Sequence, residues 1–234
     1  MLVHGGGLGP WLWELLEPEL ARRGHRTLAV DMPVDQVGVG FDGYIDAVCT
    51  QMGEGGVSGD EVVLVGHSLA GHVIPFVANR RHVGALVFIC AALPGDYDRQ
   101  DPSTPPPGLR ADDPWRFTLD AQGRAVLTEE AVIGRFYHDC QPDVARRMAQ
   151  RRRPQSQSFR TDIPTLDRWP DCRRFYISCE DDRSSARGKA ERAARTLGVE
   201  PLQLPSGHSP MVSRPGALAE LLHLIAQASA FAPC

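Results

Sequence analysis

The sequence predicts an α/β fold: a mostly parallel sheet of about six strands with helices on both faces. Two observations carry this. Short, continuous apolar runs alternate with longer stretches of helical periodicity, the pattern of a parallel sheet buried on both sides. The chain is also long enough, at 234 residues, to enclose one large core rather than two small ones. Strands are expected at 1–3, 26–30, 61–65, 85–90, 174–179 and 201–204, each bounded by Gly, Pro or charge. Helical patterns occupy 11–23, 43–52, 69–80, 186–197 and 215–228, the last opening on Pro215.

The rhythm breaks once. From Leu93 to about Trp169 no buried-strand candidate occurs, and a Pro-rich stretch at 101–108 is too rigid and polar for a core. The expected division is therefore a core of 1–92 and 170–234 with a cap, or lid, inserted at 93–169. Within the insertion, 115–119 and 124–127 flank Asp120-Ala121-Gln122-Gly123 as a small hairpin, followed by helices at 128–139 and 143–153.

Composition excludes several classes of function. Hydrophobic residues make up 42% and charged residues 23%, which disfavours a disordered chain or a disulfide scaffold. A net charge of −4 offers no nucleic-acid footprint. No apolar run reaches membrane-spanning length, and Met1-Leu2-Val3-His4 has neither a basic region nor an apolar signal core. The six cysteines (Cys49, Cys90, Cys140, Cys172, Cys179, Cys234) show no C-x-x-C pair, which fits a reducing, cytoplasmic setting. A small-molecule partner is expected, with no nucleic acid or membrane; self-association into a homodimer is allowed. The arginines at 146, 147, 151, 152 and 153 read as the solvated face of a cap helix.

The chemistry gathers at strand ends. Gly66-His67-Ser68-Leu69-Ala70-Gly71 follows a buried strand and opens a helix, so Ser68 is the candidate nucleophile on a tight elbow. The common pattern there is G-x-S-x-G, from which Ala70 departs by one methyl group. The bland reading of Ser68 is a helix cap. A serine hydroxyl needs a base, and the base needs an orienting carboxylate. Glu180, Asp181 and Asp182 stand past one late strand, and His208 lies on a loop past the last. Asp182 is preferred because it stands furthest beyond the strand; Asp181 is the alternative. The loop His4-Gly5-Gly6-Gly7 after the first strand suggests an oxyanion hole, with the backbone N–H groups of Gly6 and Leu69 as donors. No His/Cys/Asp set has metal-ligand spacing and no nucleotide motif is present, so no metal and no cofactor is expected.

With these pieces in place the chain resembles the α/β-hydrolases, and within them the branch of plant methyl esterases and hydroxynitrile lyases. Phe136-Tyr137-His138-Asp139-Cys140, Arg153-Pro154-Gln155-Ser156, Tyr176-Ile177-Ser178-Cys179-Glu180-Asp181-Asp182 and His208-Ser209-Pro210-Met211 carry the resemblance. It implies the α/β-hydrolase fold, places the acid on Asp182, and implies a Ser-His-Asp triad. The similar lyases carry Thr after the first-loop His and Lys after the catalytic His; here these positions are Gly5 and Ser209, which favours an esterase. The expected activity is cleavage of small, largely apolar carboxylic esters through an acyl-enzyme. The alternatives are lyase or other biosynthetic chemistry on the same site, or a receptor-like binder with little turnover. Substrate walls are expected from Trp115, Phe117, Phe136 and Tyr137 in the insertion.

Overall fold

The computed structural model describes residues 1–95, 117–160, 163–184 and 188–230. The first half runs β1 (Leu2–Val3), a 3₁₀ turn (Pro10–Trp13), α1 (Glu17–Arg22), β2 (Ala29–Val30), α2 (Phe41–Glu54), β3 (Gly59–His67), a second 3₁₀ turn (Ser68–His72), α3 (Ile74–Arg80) and β4 (Val83–Ile89). Next come β5 (Thr118–Leu119), β6 (Ala125–Val126), α4 (Glu129–Phe136), α5 (Pro142–Gln150) and a 3₁₀ turn (Ser158–Arg160). The chain then returns through β7 (Arg173–Cys179), α6 (Lys189–Leu197), β8 (Leu202–Leu204), α7 (Pro210–Ser213) and α8 (Pro215–Ala230).

Six strands form one sheet in the order β2-β1-β3-β4-β7-β8, and every neighbouring pair is parallel. Successive side chains of a strand point to opposite faces, and the two cores divide accordingly. Val65, Val87, Ile89 and Ile177 pack with Leu20, Leu218 and Leu222 of α1 and α8. Leu64, Leu86, Phe88 and Tyr176 pack on the other side with Ile45, Val77 and Leu197 of α2, α3 and α6. Both faces are therefore covered, which explains why the central strands read as unbroken apolar runs. The chain leaves β1 toward β2 and returns to β3 on β1's other side, so the loops after β1 and β3 open beside each other where the strand order reverses.

All six expected strands are present, with shifted ends. The edge strand expected at 26–30 shortens to Ala29–Val30, having a partner on one side only. Two expected helices split at prolines. Pro18 lacks an N–H and its ring clashes with the carbonyl of residue 14, so α1 starts at Glu17 rather than at 11. Pro75 acts likewise within 69–80, leaving a 3₁₀ turn before α3.

The segment between β4 and β7 builds its own small elements. Asp120 Oδ1 accepts the N–H groups of Gln122 and Arg124 at 2.9 Å, closing the β5–β6 hairpin. Thr128 caps α4 by accepting from the Ala131 N–H. The segment is tied to the core through the Arg153 N–H to the Gly7 carbonyl at 2.8 Å and the Ser156 N–H to the Val34 carbonyl at 2.7 Å. The Pro-rich stretch at 101–108 lies outside the described residues, as does Cys234; the five described cysteines are unbridged. No helix among the described residues is long and apolar enough to cross a membrane.

Candidate active site

Ser68 stands at the end of β3 with φ of +53°, a left-handed conformation that costs a residue with a side chain about 1–3 kcal/mol. Surrounding contacts hold it there. The Ser68 carbonyl accepts from the Ala92 N–H at 3.1 Å, and a Cβ at Gly71 would come to 2.1 Å from the Ala92 carbonyl oxygen. At Gly71 no side chain fits without moving the backbone. Ala70, the departure from the common pattern, buries its methyl group completely. A Cβ at Gly66 would likewise come to 2.9 Å from Ile74 Cδ1 and 3.1 Å from the Ala70 carbonyl oxygen. Ser68 does not act as a helix cap: His67 holds that position, and no side-chain bond caps the turn.

Past β7 and β8, His208 and Asp182 meet. The Nδ1 of His208 lies 3.0 Å from both carboxylate oxygens of Asp182, in a setting where the two side chains are only 2% and 6% exposed. Asp182 Oδ1 also accepts from the Ser184 N–H at 2.7 Å. The alternatives do not reach the imidazole. The amides of Glu180 and Asp181 bond to the carbonyls of Leu204 and Ser206, continuing the β7–β8 pairing, and both residues are exposed. With Nδ1 committed to a carboxylate, it carries the proton, which leaves a lone pair on Nε2. That atom is buried and makes no hydrogen bond among the described residues, to Ser68 or to any other group.

Two neighbours frame the imidazole. Phe136 lies over it at 5.3 Å between ring centroids and His67 at 4.7 Å. His67 Nε2 lies 2.9 Å from the His208 carbonyl, so it must be the donor, and burial together with the nearby His208 pushes its pKa far down. His67 is a neutral brace on the His208 backbone. A second brace comes from the segment between β4 and β7: Asp139 Oδ2 accepts the Gly207 N–H at 2.7 Å.

The loop after β1 curls over the elbow. His4 Nε2 accepts from the Met32 N–H at 3.0 Å while Nδ1 lies 2.8 Å from the Gly5 carbonyl, which makes Nδ1 the protonated nitrogen. A Cβ at Gly5 would meet Ser68 Cβ at 3.0 Å, and one at Gly6 would meet Gln155 Oε1 at 2.9 Å. Gly7 adopts φ of +66° and donates to Gln155 Oε1 at 2.9 Å. Gln155 Nε2 in turn reaches the Val34 carbonyl and the Tyr44 hydroxyl. Gln155 is thus the anchor of the glycine loop. The motif containing it is visible in the sequence, but nothing local marks this role, because its partners lie 111 to 148 residues away.

A cavity of about 200 Å³ opens at this edge, and its wall includes Ser68, Gly6 and Leu69. His208 lies behind the wall, under Phe136. Of the expected substrate-facing aromatics, Phe117 and Phe136 line the cavity. Tyr137 corrects that expectation: it is fully buried in the core and absent from the wall, since consecutive residues at a helix end point about 100° apart. Trp115 lies outside the described residues. Phe41 and Phe159 line the wall although sequence reasoning did not select them. The arginine cluster also divides. Arg147 and Arg151 pair with Glu14 on the surface, whereas Arg152 and Arg153 line the cavity.

One set of metal-type donors does occur. Cys90, Asp182 and His208 each place an atom within 4.8 Å of the others. Nδ1 of His208 and the Asp182 carboxylate already hold each other, and the adjacent Cys179 together with burial pushes the Cys90 thiol well above its ordinary pKa.

Relatives share this architecture. Norfluorocurarine synthase 1 from Strychnos sp is 23% identical, over 97% of this chain and 94% of that protein. Polyneuridine aldehyde esterase from Rauvolfia serpentina is 24% identical, over 95% of this chain and 93% of the relative. The crystal structure of polyneuridine aldehyde esterase aligns over 96% of this chain and 97% of its own, at 22% identity with a TM-score of 0.76. A methylesterase structure from Arabidopsis gives 0.73 at 18% identity, over 97% of this chain and 98% of its own. The model of the Alpha/beta hydrolase family matches residues 1–221, a span that takes in the elbow, the acid and the late histidine, and the chain belongs to the alpha/beta hydrolase family.

Proposed function

We propose that this chain is a serine carboxylesterase for small esters with a largely apolar body. The observation that carries the reading is the His208–Asp182 pair. It leaves one basic nitrogen buried and unpartnered at the sheet edge where a serine is held in a strained backbone conformation. In this reading Ser68 Oγ attacks the acyl carbon as His208 Nε2 takes its proton, and Asp182 stabilises the imidazolium. The N–H groups of Gly6 and Leu69 receive the oxyanion, a contribution of about 10²–10³ in turnover per donor. His208 then returns the proton to the leaving alcohol, and water releases the acid from the acyl-enzyme. Residues 93–169 act as a cap supplying Phe117 and Phe136 to the substrate, and the site works without metal or cofactor. The unbridged cysteines support a cytoplasmic location.

The name of one relative, a synthase, favours a second reading in which the same residues perform non-hydrolytic biosynthetic chemistry. Hydrolysis of p-nitrophenyl acetate, butyrate and octanoate by the wild type and Ser68→Ala separates the two. The esterase reading expects turnover that the substitution removes; turnover untouched by it refutes the mechanism. Cyanide release from mandelonitrile is expected to be absent.

A further inference from the structure

An oxyanion donor is useful only if its direction is fixed before the reaction, yet Gly5-Gly6-Gly7 is the most conformationally free backbone a chain can have. Something outside the loop must hold it. On one side the Gly5 carbonyl accepts from His4 Nδ1 at 2.8 Å. A trans peptide points its carbonyl and its N–H in opposite directions, so the Gly6 N–H points away from the His4 ring. It bonds to no group among the described residues, and Gly6 lies in the same cavity wall as Ser68.

On the other side the hold comes entirely from the segment between β4 and β7. Both polar backbone groups of Gly7 are taken there: the N–H by Gln155 Oε1 at 2.9 Å, and the carbonyl by the Arg153 N–H at 2.8 Å. The Gln155 amide also packs on Gly6, where a Cβ would come to 2.9 Å from Oε1. Its Nε2 faces the Ser156 and Val34 carbonyls at 3.0 and 3.2 Å and the Tyr44 hydroxyl at 3.1 Å. This surrounding fixes the amide in one orientation, because a flip would set Oε1 against two carbonyls and an NH₂ against the Gly7 N–H. An acceptor locked in this way locks Gly7, and through it the peptide that carries the Gly6 N–H.

We propose that Gln155 is a positioning residue of the oxyanion hole: by holding Gly7 it aims the Gly6 N–H at the oxygen that becomes negative when Ser68 attacks. This rests on the esterase reading and adds to it a residue outside the triad and the hole.

The test compares wild type with Gln155→Met, which keeps the length of the side chain and removes its hydrogen bonds. In hydrolysis of p-nitrophenyl butyrate, kcat is expected to fall about 10²-fold with KM within about threefold. A rise in KM with kcat unchanged would make Gln155 a substrate contact and overturn the proposal. The readout that a merely structural role would not move is the preference for trifluoromethyl hexyl ketone over methyl hexyl ketone as inhibitors. The fluorinated ketone accepts Ser68 Oγ at its carbonyl carbon; the carbonyl π pair moves to the oxygen, which becomes the oxyanion, and the serine proton passes to His208. The unfluorinated ketone binds without that step. Wild type is expected to prefer the fluorinated ketone, and Gln155→Met to lose about 10²-fold of that preference while binding the methyl ketone as before. An equal loss for both ketones, or an unchanged preference, overturns the proposal. Should Gln155→Met fail to fold, Tyr44→Phe takes its place by removing one partner of the amide: the preference should fall at least about threefold, and an unchanged one overturns the proposal. If wild type cleaves no ester, the esterase reading fails separately, and the ketones still decide the present one. A wild-type preference lost in Gln155→Met supports it; a preference kept in the variant, or absent from wild type, overturns it.

Discussion

Asp182→Asn replaces one carboxylate oxygen by an amide nitrogen and tests the centre of the mechanism. The carboxylate lies 3.0 Å from His208 Nδ1 through both oxygens, so it faces the imidazolium as that cation forms. At an effective dielectric of about 20, unit charges about 3 Å apart attract by about 5 kcal/mol, or nearly four decades in rate. A second effect acts in the same direction. The amide oxygen of the substituted side chain would keep the bond from the Ser184 N–H, which turns its NH₂ toward His208. Nδ1 then becomes the acceptor, the proton moves to Nε2, and the base is lost. The expected outcome is a fall of about 10³–10⁴ in kcat with little change in KM, read by steady-state hydrolysis of p-nitrophenyl butyrate and checked for folding by circular dichroism. Asp181→Asn, on the exposed neighbour, serves as the control and should stay within about threefold of wild type. An Asp182→Asn protein that keeps a tenth or more of wild-type kcat would refute the assignment.

Two further outcomes follow from the packing. In Gly207→Ala the new methyl group would lie 2.6 Å from Asp139 Oδ1 and 2.7 Å from His138, so the loop carrying His208 must shift; kcat should fall about 10²-fold, and unchanged kcat would show that Asp139 does not position the loop. Stability should depend on pH through His72, whose burial lowers its pKa from 6.5 to about 3. The unfolded chain binds that proton more readily, so stability is full above about 6.5 and declines as the pH falls toward 3. At pH 5 the loss from this residue is about 2 kcal/mol, and buried His67 acts with the same sign. Urea midpoints at pH 7 and 5 should diverge in the wild type and less so in His72→Gln; an identical divergence would rule His72 out as the cause.

Much of the sheet is readable in the sequence because its physical cause is local. A strand buried on both faces must be apolar at every position, so β3 and β4 stand out from their neighbours. Ser68 is readable for a related reason, since a buried strand running into small residues allows few conformations at the turn. The helix ends depart from periodicity where a proline overrides it, at Pro18 and Pro75. The choice among Glu180, Asp181 and Asp182 rests, in the sequence, on distance past the strand and on the family resemblance. The structure separates them by which amides continue the β7–β8 pairing and which carboxylate turns inward.

The linear chain by itself determined the alternation of elements, and with it the layered architecture, together with the identity of the nucleophile, acid and base candidates. Tertiary structure alone decided the rest: that Gln155 clasps the glycine loop, that Asp139 braces Gly207, that Tyr137 is core while Phe136 is wall, and that Arg152 faces the cavity while Arg151 pairs with Glu14. The physical reason is range. Propensity and burial pattern act over a few neighbouring residues, whereas the partners of these side chains are brought together only when strands distant in sequence close into one sheet.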